Sequence, residues 1–213
     1  MEITWLGQAC FKIRGKEATI ITDPYDPALG YVLGNQTAEI VTVSHDHKDH
    51  NYYEGIGGSP KLVKGPGEYD IAGILITGIN TFHDNEGGKK RGKNTVYLIE
   101  MEDLTICHLG DLGHVPTAEQ VELLSNVQIL MIPVGGIAAT IDASAAVETI
   151  SLIQPKIVIP MHYKTDALTY PFDSVDKFLK EMGVTDIRAQ PKLTVTKSSV
   201  PEHTQVVVLD YKR

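Results

Sequence analysis

Cysteine is scarce: the 213-residue chain has two, Cys10 and Cys107. They form no Cys-x-x-Cys pair, which excludes a thiol redox motif and a structural zinc ribbon. Both sit in apolar segments and read as buried free thiols. Long apolar runs are missing as well, and no stretch approaches the roughly 20 residues that a membrane-spanning helix needs. The first residues carry Glu2 and show no basic region followed by an apolar block. No signal peptide is therefore expected, and the chain reads as cytoplasmic without a membrane partner. Positive charge is outnumbered, 19 Lys and Arg against 27 Asp and Glu, a net of −8. An acidic surface repels phosphate backbones, so no long nucleic acid is expected as a partner. Disorder is excluded too, because 42% of residues are hydrophobic and 22% charged, the balance of an ordinary globular chain. The length suits one domain over residues 1–213 with a sizeable core.

What is present is a mixed pattern. Short β-rich segments, punctuated by glycine and proline, predict strands at residues 3–6, 9–13, 18–22, 40–43, 62–63, 71–82, 95–101 and 104–109. Gly65 and Gly67 mark loops, and Glu68, directly after Gly67, reads as a turn residue. Helical periodicity enters later. Thr117-Ala-Glu-Gln120 is a capping box. Asp142 or Ser144 caps a helix with Ala146, Val147, Ile150 and Ile153 on one face, stopped by Pro155. Asp173 or Ser174 caps another, with Val175, Phe178, Leu179 and Met182 on one face and Gly183 at its end. Strands at 128–132, 156–161, 193–196 and 206–209 complete an α/β (α+β) pattern in one domain.

The chemistry concentrates in Ser44-His-Asp-His-Lys-Asp-His-Asn51, directly after the strand at 40–43. Three of the chain's eight histidines and two aspartates fall within residues 45–50. Imidazole nitrogen and carboxylate oxygen suit zinc, manganese or iron. In extended backbone His45 and His47 point to one side, and a turn then redirects Asp49 and His50. One loop can so offer ligands to two neighbouring divalent ions, zinc or manganese.

This His-x-His-x-Asp-His string resembles the signature of the metallo-β-lactamase superfamily. Thr22-Asp23-Pro24, Thr81-Phe-His-Asp84, Leu109-Gly-Asp111 and Ile159-Pro-Met-His-Tyr163 match that family's remaining elements in order. Within it, Ile3-Thr-Trp-Leu-Gly7, Gly65-Pro-Gly-Glu-Tyr69, Pro133-Val-Gly-Gly136 and Pro160-Met-His-Tyr163 resemble the small metal-dependent hydrolases related to ascorbate-6-phosphate lactonase. Gln8 departs from that pattern, where a histidine commonly follows the glycine. The resemblance implies a four-layered αββα sandwich with the site at one edge of the two sheets. It implies that His45, His47 and His83 hold one metal, Asp49, His50 and His162 a second, and that Asp111 bridges. Asp23 would orient the loop from behind. Asp49, Asp111 and His162 would be catalytic residues of a binuclear hydrolase whose metal-bridging hydroxide cleaves an ester-type bond. A phosphodiester is the favoured substrate. A phosphorylated sugar lactone is the alternative, and a metal-binding regulator with vestigial hydrolysis is the competing class.

Four cations in five residues, Lys89-Lys-Arg-Gly-Lys93, suggest a clamp for an anionic small-molecule substrate. Lys90 and Arg91 are its candidate contacts, with Asn94, His114, Tyr163 and Lys164 as further candidates around the site. His108, on an apolar strand, reads as buried, and His203 as solvated. Homo-oligomerisation is left open.

Overall fold

The computed structural model describes residues 1–137 and 140–211. Segments rich in Val, Ile and Thr pleat into strands, where branched side chains pack well. The first are β1 (Glu2–Gly7), β2 (Cys10–Arg14), β3 (Thr19–Thr22), β4 (Ile40–Val43), β5 (Lys61–Lys64), β6 (Gly67–Ile71) and β7 (Ile74–Phe82). Then come β8 (Lys93–Met101), β9 (Leu104–His108), β10 (Ile129–Pro133), β11 (Ile157–Met161), β12 (Leu193–Thr194) and β13 (Gln205–Val206). The helices are α1 (Ala118–Leu123), α2 (Ala143–Ile153) and α3 (Val175–Glu181). Thr117 and Gln120 close the expected capping box at α1, and Asp142 caps α2 by accepting from Ala145 N.

Two sheets result, ordered β12-β1-β2-β3-β4-β5 and β13-β11-β10-β9-β8-β7-β6. Alternation along the strands divides their apolar residues between layers. Ile3, Trp5, Phe11, Ile13, Ile20 and Ile40 join one core cluster with Ile76, Val96 and Ile99 of the other sheet. Their sequence neighbours Leu6, Cys10, Ile21 and Val41 face a second cluster with Tyr25, Tyr31, Leu33 and Ile56. Over the six-stranded sheet the outer layer is therefore built from loops and single turns at Pro27–Leu29 and Tyr53–Gly55. Among the described residues its α-helices all fall after residue 117.

Two local expectations change. The single strand expected over residues 71–82 is two, because Ala72 and Gly73 take left-handed φ of 55° and 77° and turn the chain back. Glu68 is consequently a strand residue, opposite Thr77, rather than part of a turn.

Strand direction sets up the site. β3 and β4 run parallel, as do β9, β10 and β11. β7 runs with β9, since β8 is antiparallel to both. The residues following β3, β4, β7, β9 and β11 are Asp23, the 44–50 loop, His83, Asp111 and His162, so all gather at the carboxyl ends of strands along one edge.

Candidate metal centre

Backbone conformation fixes two residues of the site. Asp23 (φ 38°) and His162 (φ 54°) take left-handed conformations that ordinary residues seldom adopt. Two glycines make room for the donors. A Cβ on Gly110 would lie 2.5 Å from Ser44 Cβ, and one on Gly135 only 2.1 Å from the His162 carbonyl oxygen. Asp23, fully buried, ties the 44–50 loop to β3. Its carboxylate accepts from Ser44 N at 2.8 Å and Ser44 Oγ at 2.6 Å, and it lies 2.9 Å from His50 Nδ1.

Besides the wholly buried trio Asp23, His45 and His50, two donor groups emerge. His45, His47 and His83 bring their ring nitrogens within 4.8 Å of one another, as do the donor atoms of Asp49, His50 and His162. Asp111 stands between them. Its Oδ2 is 3.2 Å from His83 Nε2 and its Oδ1 is 3.2 Å from His162 Nε2, while His50 Nε2 is 3.4 Å from Oδ2. Asp111 N in turn donates to Asn94 Oδ1 at 2.9 Å.

The electrostatics favour a cation. Burial, aided by the neighbouring His50 charge, pushes His45 down to about 3. Burial likewise pushes His83 down to about 4. Both imidazoles are thus neutral near pH 7, with lone pairs to offer. Burial opposes charge on His50, but the Asp49 and Asp111 carboxylates outweigh it and raise its pKa. Burial would raise Asp111, yet the adjacent His162 and His50 hold it well below the usual carboxylate range.

The donor set fits divalent metal. His47 Nδ1 lies 3.0 Å from His45 Nε2 and 3.2 Å from His83 Nε2. One hydrogen placed among these three nitrogens serves one contact, whereas a cation serves all three. His50 Nε2 and Asp111 Oδ1 are buried and make no hydrogen bond despite their close neighbours. Buried polar atoms without partners are costly unless something else occupies their lone pairs.

A cavity of about 450 Å³ opens onto this cluster, lined among others by Lys48, Arg91, Ile137, Tyr170 and Phe172. Phe172 packs on the His162 ring at 4.8 Å and stacks with Tyr170 at 5.8 Å. A neighbouring cavity of about 400 Å³ shares His83, Arg91 and Ile137 and adds Lys90 and His114. A larger cavity, about 720 Å³, surrounds the turns at Gly73 and Glu102 at the opposite strand ends, away from both donor groups.

The expected substrate contacts divide. Arg91 borders both cavities beside the donors. Lys90 is paired with Glu86, and Asp84 holds the basic loop by accepting from the backbone N of Glu86, Gly88, Lys90 and Arg91 at 2.7–2.9 Å. Burial opposes ionisation of Asp84, but those four donors hold it down at about 2. Asn94 lies in the interior rather than the cavity. It is fully buried, with its amide donating to Thr81 Oγ1 and the Leu109 carbonyl, so it positions Asp111. Tyr163 is buried against Trp5 at 4.9 Å. Lys164 reaches the carbonyls of Leu168 and Tyr170 and braces the loop that carries Phe172. His114 Nε2 accepts from Phe82 N at 3.3 Å, beside the second cavity. His108 is buried, 2.8 Å from the Ala9 carbonyl, and His203 is exposed. Sequence reasoning passed over Gln8 as a member of the site, although its place just after Gly7 was noted. Its amide nitrogen lies 3.0 Å from Asp49 Oδ2 and 2.8 Å from His162 Nε2.

Comparison with known proteins points the same way. Residues 2–162 match the family described as the beta-lactamase superfamily domain. A metal-dependent hydrolase of Staphylothermus marinus is 30% identical over 197 residues, covering 76% of this chain and 83% of that one. One from Methanosarcina mazei is 25% identical over 199 residues, covering 78% and 84%. A solved structure from Thermotoga maritima, described as a Zn-dependent hydrolase of the metallo-β-lactamase superfamily, is 39% identical. It superposes with a TM-score of 0.82 and covers 98% of this chain and 97% of that one.

Proposed function

The chain belongs to the metallo-β-lactamase superfamily, and from that premise we propose that this metal-dependent hydrolase uses two divalent cations to cleave an anionic ester, a phosphodiester first. The observation that carries the reading is the placement of Asp111, which reaches both donor groups: its Oδ2 lies 3.2 Å from His83 Nε2 and 3.4 Å from His50 Nε2, and its Oδ1 lies 3.2 Å from His162 Nε2. His45, His47 and His83 would hold one cation and Asp49, His50 and His162 the other, with Asp111 shared. When bound, such a pair supplies Lewis acidity and lowers the pKa of water to near neutrality.

The chain's own residues do the rest. Asp23 keeps His50 in one orientation through its Nδ1, leaving Nε2 for the cleft. Asp49, the more exposed of the two carboxylates, lines the cavity. Although partly buried, it is held below its ordinary pKa by His50. It therefore stays ionised and can accept the proton of an attacking water at a carboxylate oxygen. Arg91 presents a fork of N–H donors at the mouth, a geometry that suits the non-bridging oxygens of a phosphodiester. Phe172 and Tyr170 form an apolar wall that limits water beside His162.

The test is turnover of a generic phosphodiester by manganese- or zinc-loaded protein against a His45→Ala variant. Turnover lost in the variant and on chelation supports the reading. Turnover that survives both overturns it.

A further inference from the structure

Gln8 stands at the bend between β1 and β2 with a left-handed φ of 52°. A glutamine held there is under strain that its surroundings must impose. They do so twice: the Gln8 carbonyl accepts from Trp5 Nε1 at 2.9 Å and from the backbone N of His162 at 3.1 Å. The side chain is fully buried and ends among the donors of the second group, 3.0 Å from Asp49 Oδ2 and 2.8 Å from His162 Nε2. Its amide hydrogens so occupy lone pairs that a cation would take. Its oxygen, Oε1, is buried without a hydrogen-bond partner.

These facts describe an amide poised to turn over. The two ends of a carboxamide are nearly the same size, and their surroundings decide which points where. Without a cation, the nitrogen end faces Asp49 and His162. Once those lone pairs are committed to a cation, an N–H in that place faces positive charge, and the unpartnered oxygen becomes the better occupant. We propose that Gln8 then turns its Oε1 to the second cation as an additional ligand. This rests on the two-cation reading above. The second position would gain a fifth protein donor beside Asp49, His50, His162 and Asp111. A neutral carbonyl oxygen suits manganese, which prefers higher coordination and oxygen donors. It is surplus to zinc, which is content with four. Gln8 is thus a determinant of which metal fills the second position.

The experiment titrates the metal-free full chain with Mn²⁺ and, separately, Zn²⁺ by calorimetry. The coupling of paired Mn²⁺ ions is read by electron paramagnetic resonance. Gln8→Met keeps the bulk of the side chain and removes the hard donor, while Gln8→Glu keeps an oxygen. The proposal expects two Mn²⁺ per chain in the parent. In Gln8→Met it expects the second to weaken by about 10–100-fold, the range seen when a group supporting a metal site is lost, with the first unchanged. The coupled signal should fade there and return in Gln8→Glu, and Zn²⁺ should respond much less. Equal Mn²⁺ affinities in parent and Gln8→Met, with two ions bound, overturn the role of Gln8 alone. A loss that Gln8→Glu does not restore assigns Gln8 to packing and overturns it too. A parent that takes up one ion overturns the two-cation reading, and this proposal with it.

Discussion

Replacing Arg91 with alanine should raise KM for an anionic diester about tenfold while leaving kcat nearly unchanged. The side chain borders both cavities beside His83. The loop beneath it is held through backbone N–H groups on Asp84, so truncation removes the guanidinium and spares the loop. A charge-assisted hydrogen bond contributes about 1.5–3 kcal/mol. Arg91 is exposed, so solvent screening places it near the lower end, about 1.5 kcal/mol, or roughly tenfold. Loss of binding felt equally in ground and transition states appears in KM rather than kcat. Lys89 and Lys93 lie in the same basic run but line neither cavity at the site. Replacing both with alanine should leave KM within about twofold, in keeping with the small worth of exposed charges. Steady-state kinetics on an anionic diester and an uncharged ester, at low and high salt, is the assay. The Arg91 effect should shrink at high salt, because the screening length falls from about 10 Å at 0.1 M to about 3 Å at 1 M. An unchanged KM in Arg91→Ala, or an equal loss in the lysine double variant, would refute this reasoning.

Two further outcomes follow. Asp111→Ala should cost more activity than Asp23→Ala at matched folding, because Asp111 faces both donor groups whereas Asp23 acts through Ser44 and His50; kinetics at saturating metal should show about 10–100-fold loss for Asp23→Ala and more for Asp111→Ala. The metal-free protein should be most stable near pH 6.5. Below that, unfolded histidines take up protons that folded His45 and His83 refuse until about pH 3 and 4, so stability falls with acid by up to about 1.4 kcal/mol per pH unit for each. Above it, His50, whose folded pKa is raised, keeps a proton that the unfolded chain releases, so its contribution fades as pH rises towards that value. Thermal melts from pH 5 to 8 would trace this, and a midpoint climbing steadily to pH 8 would contradict it.

Much of the architecture was legible in the residues. Short β-rich segments bounded by glycine and proline located the strands, and the caps at Thr117 and Asp142 located two helices, since those signals are local. The turn at Ala72-Gly73 escaped because alanine seldom takes a left-handed φ, and the apolar pattern runs on through it. The ligand types and their clustering in residues 44–51 were also local. What was not local was lost. Asn94, adjacent to a basic run, reads as a surface contact until Thr81, Leu109 and Asp111 surround it. Tyr163 and Lys164 follow a ligand in sequence, yet one turns into the aromatic core and the other braces a loop. Gln8 joins the site across 154 residues from His162, a separation that no spacing rule encodes.

The central claim is that two cations share Asp111. It is tested most directly by metal content per chain after saturation and desalting, in the parent, His47→Ala and His162→Ala. The account predicts about two equivalents in the parent and about one in each variant, because each substitution removes a donor from a different group. A parent that holds one equivalent, with His162→Ala holding the same, would contradict it.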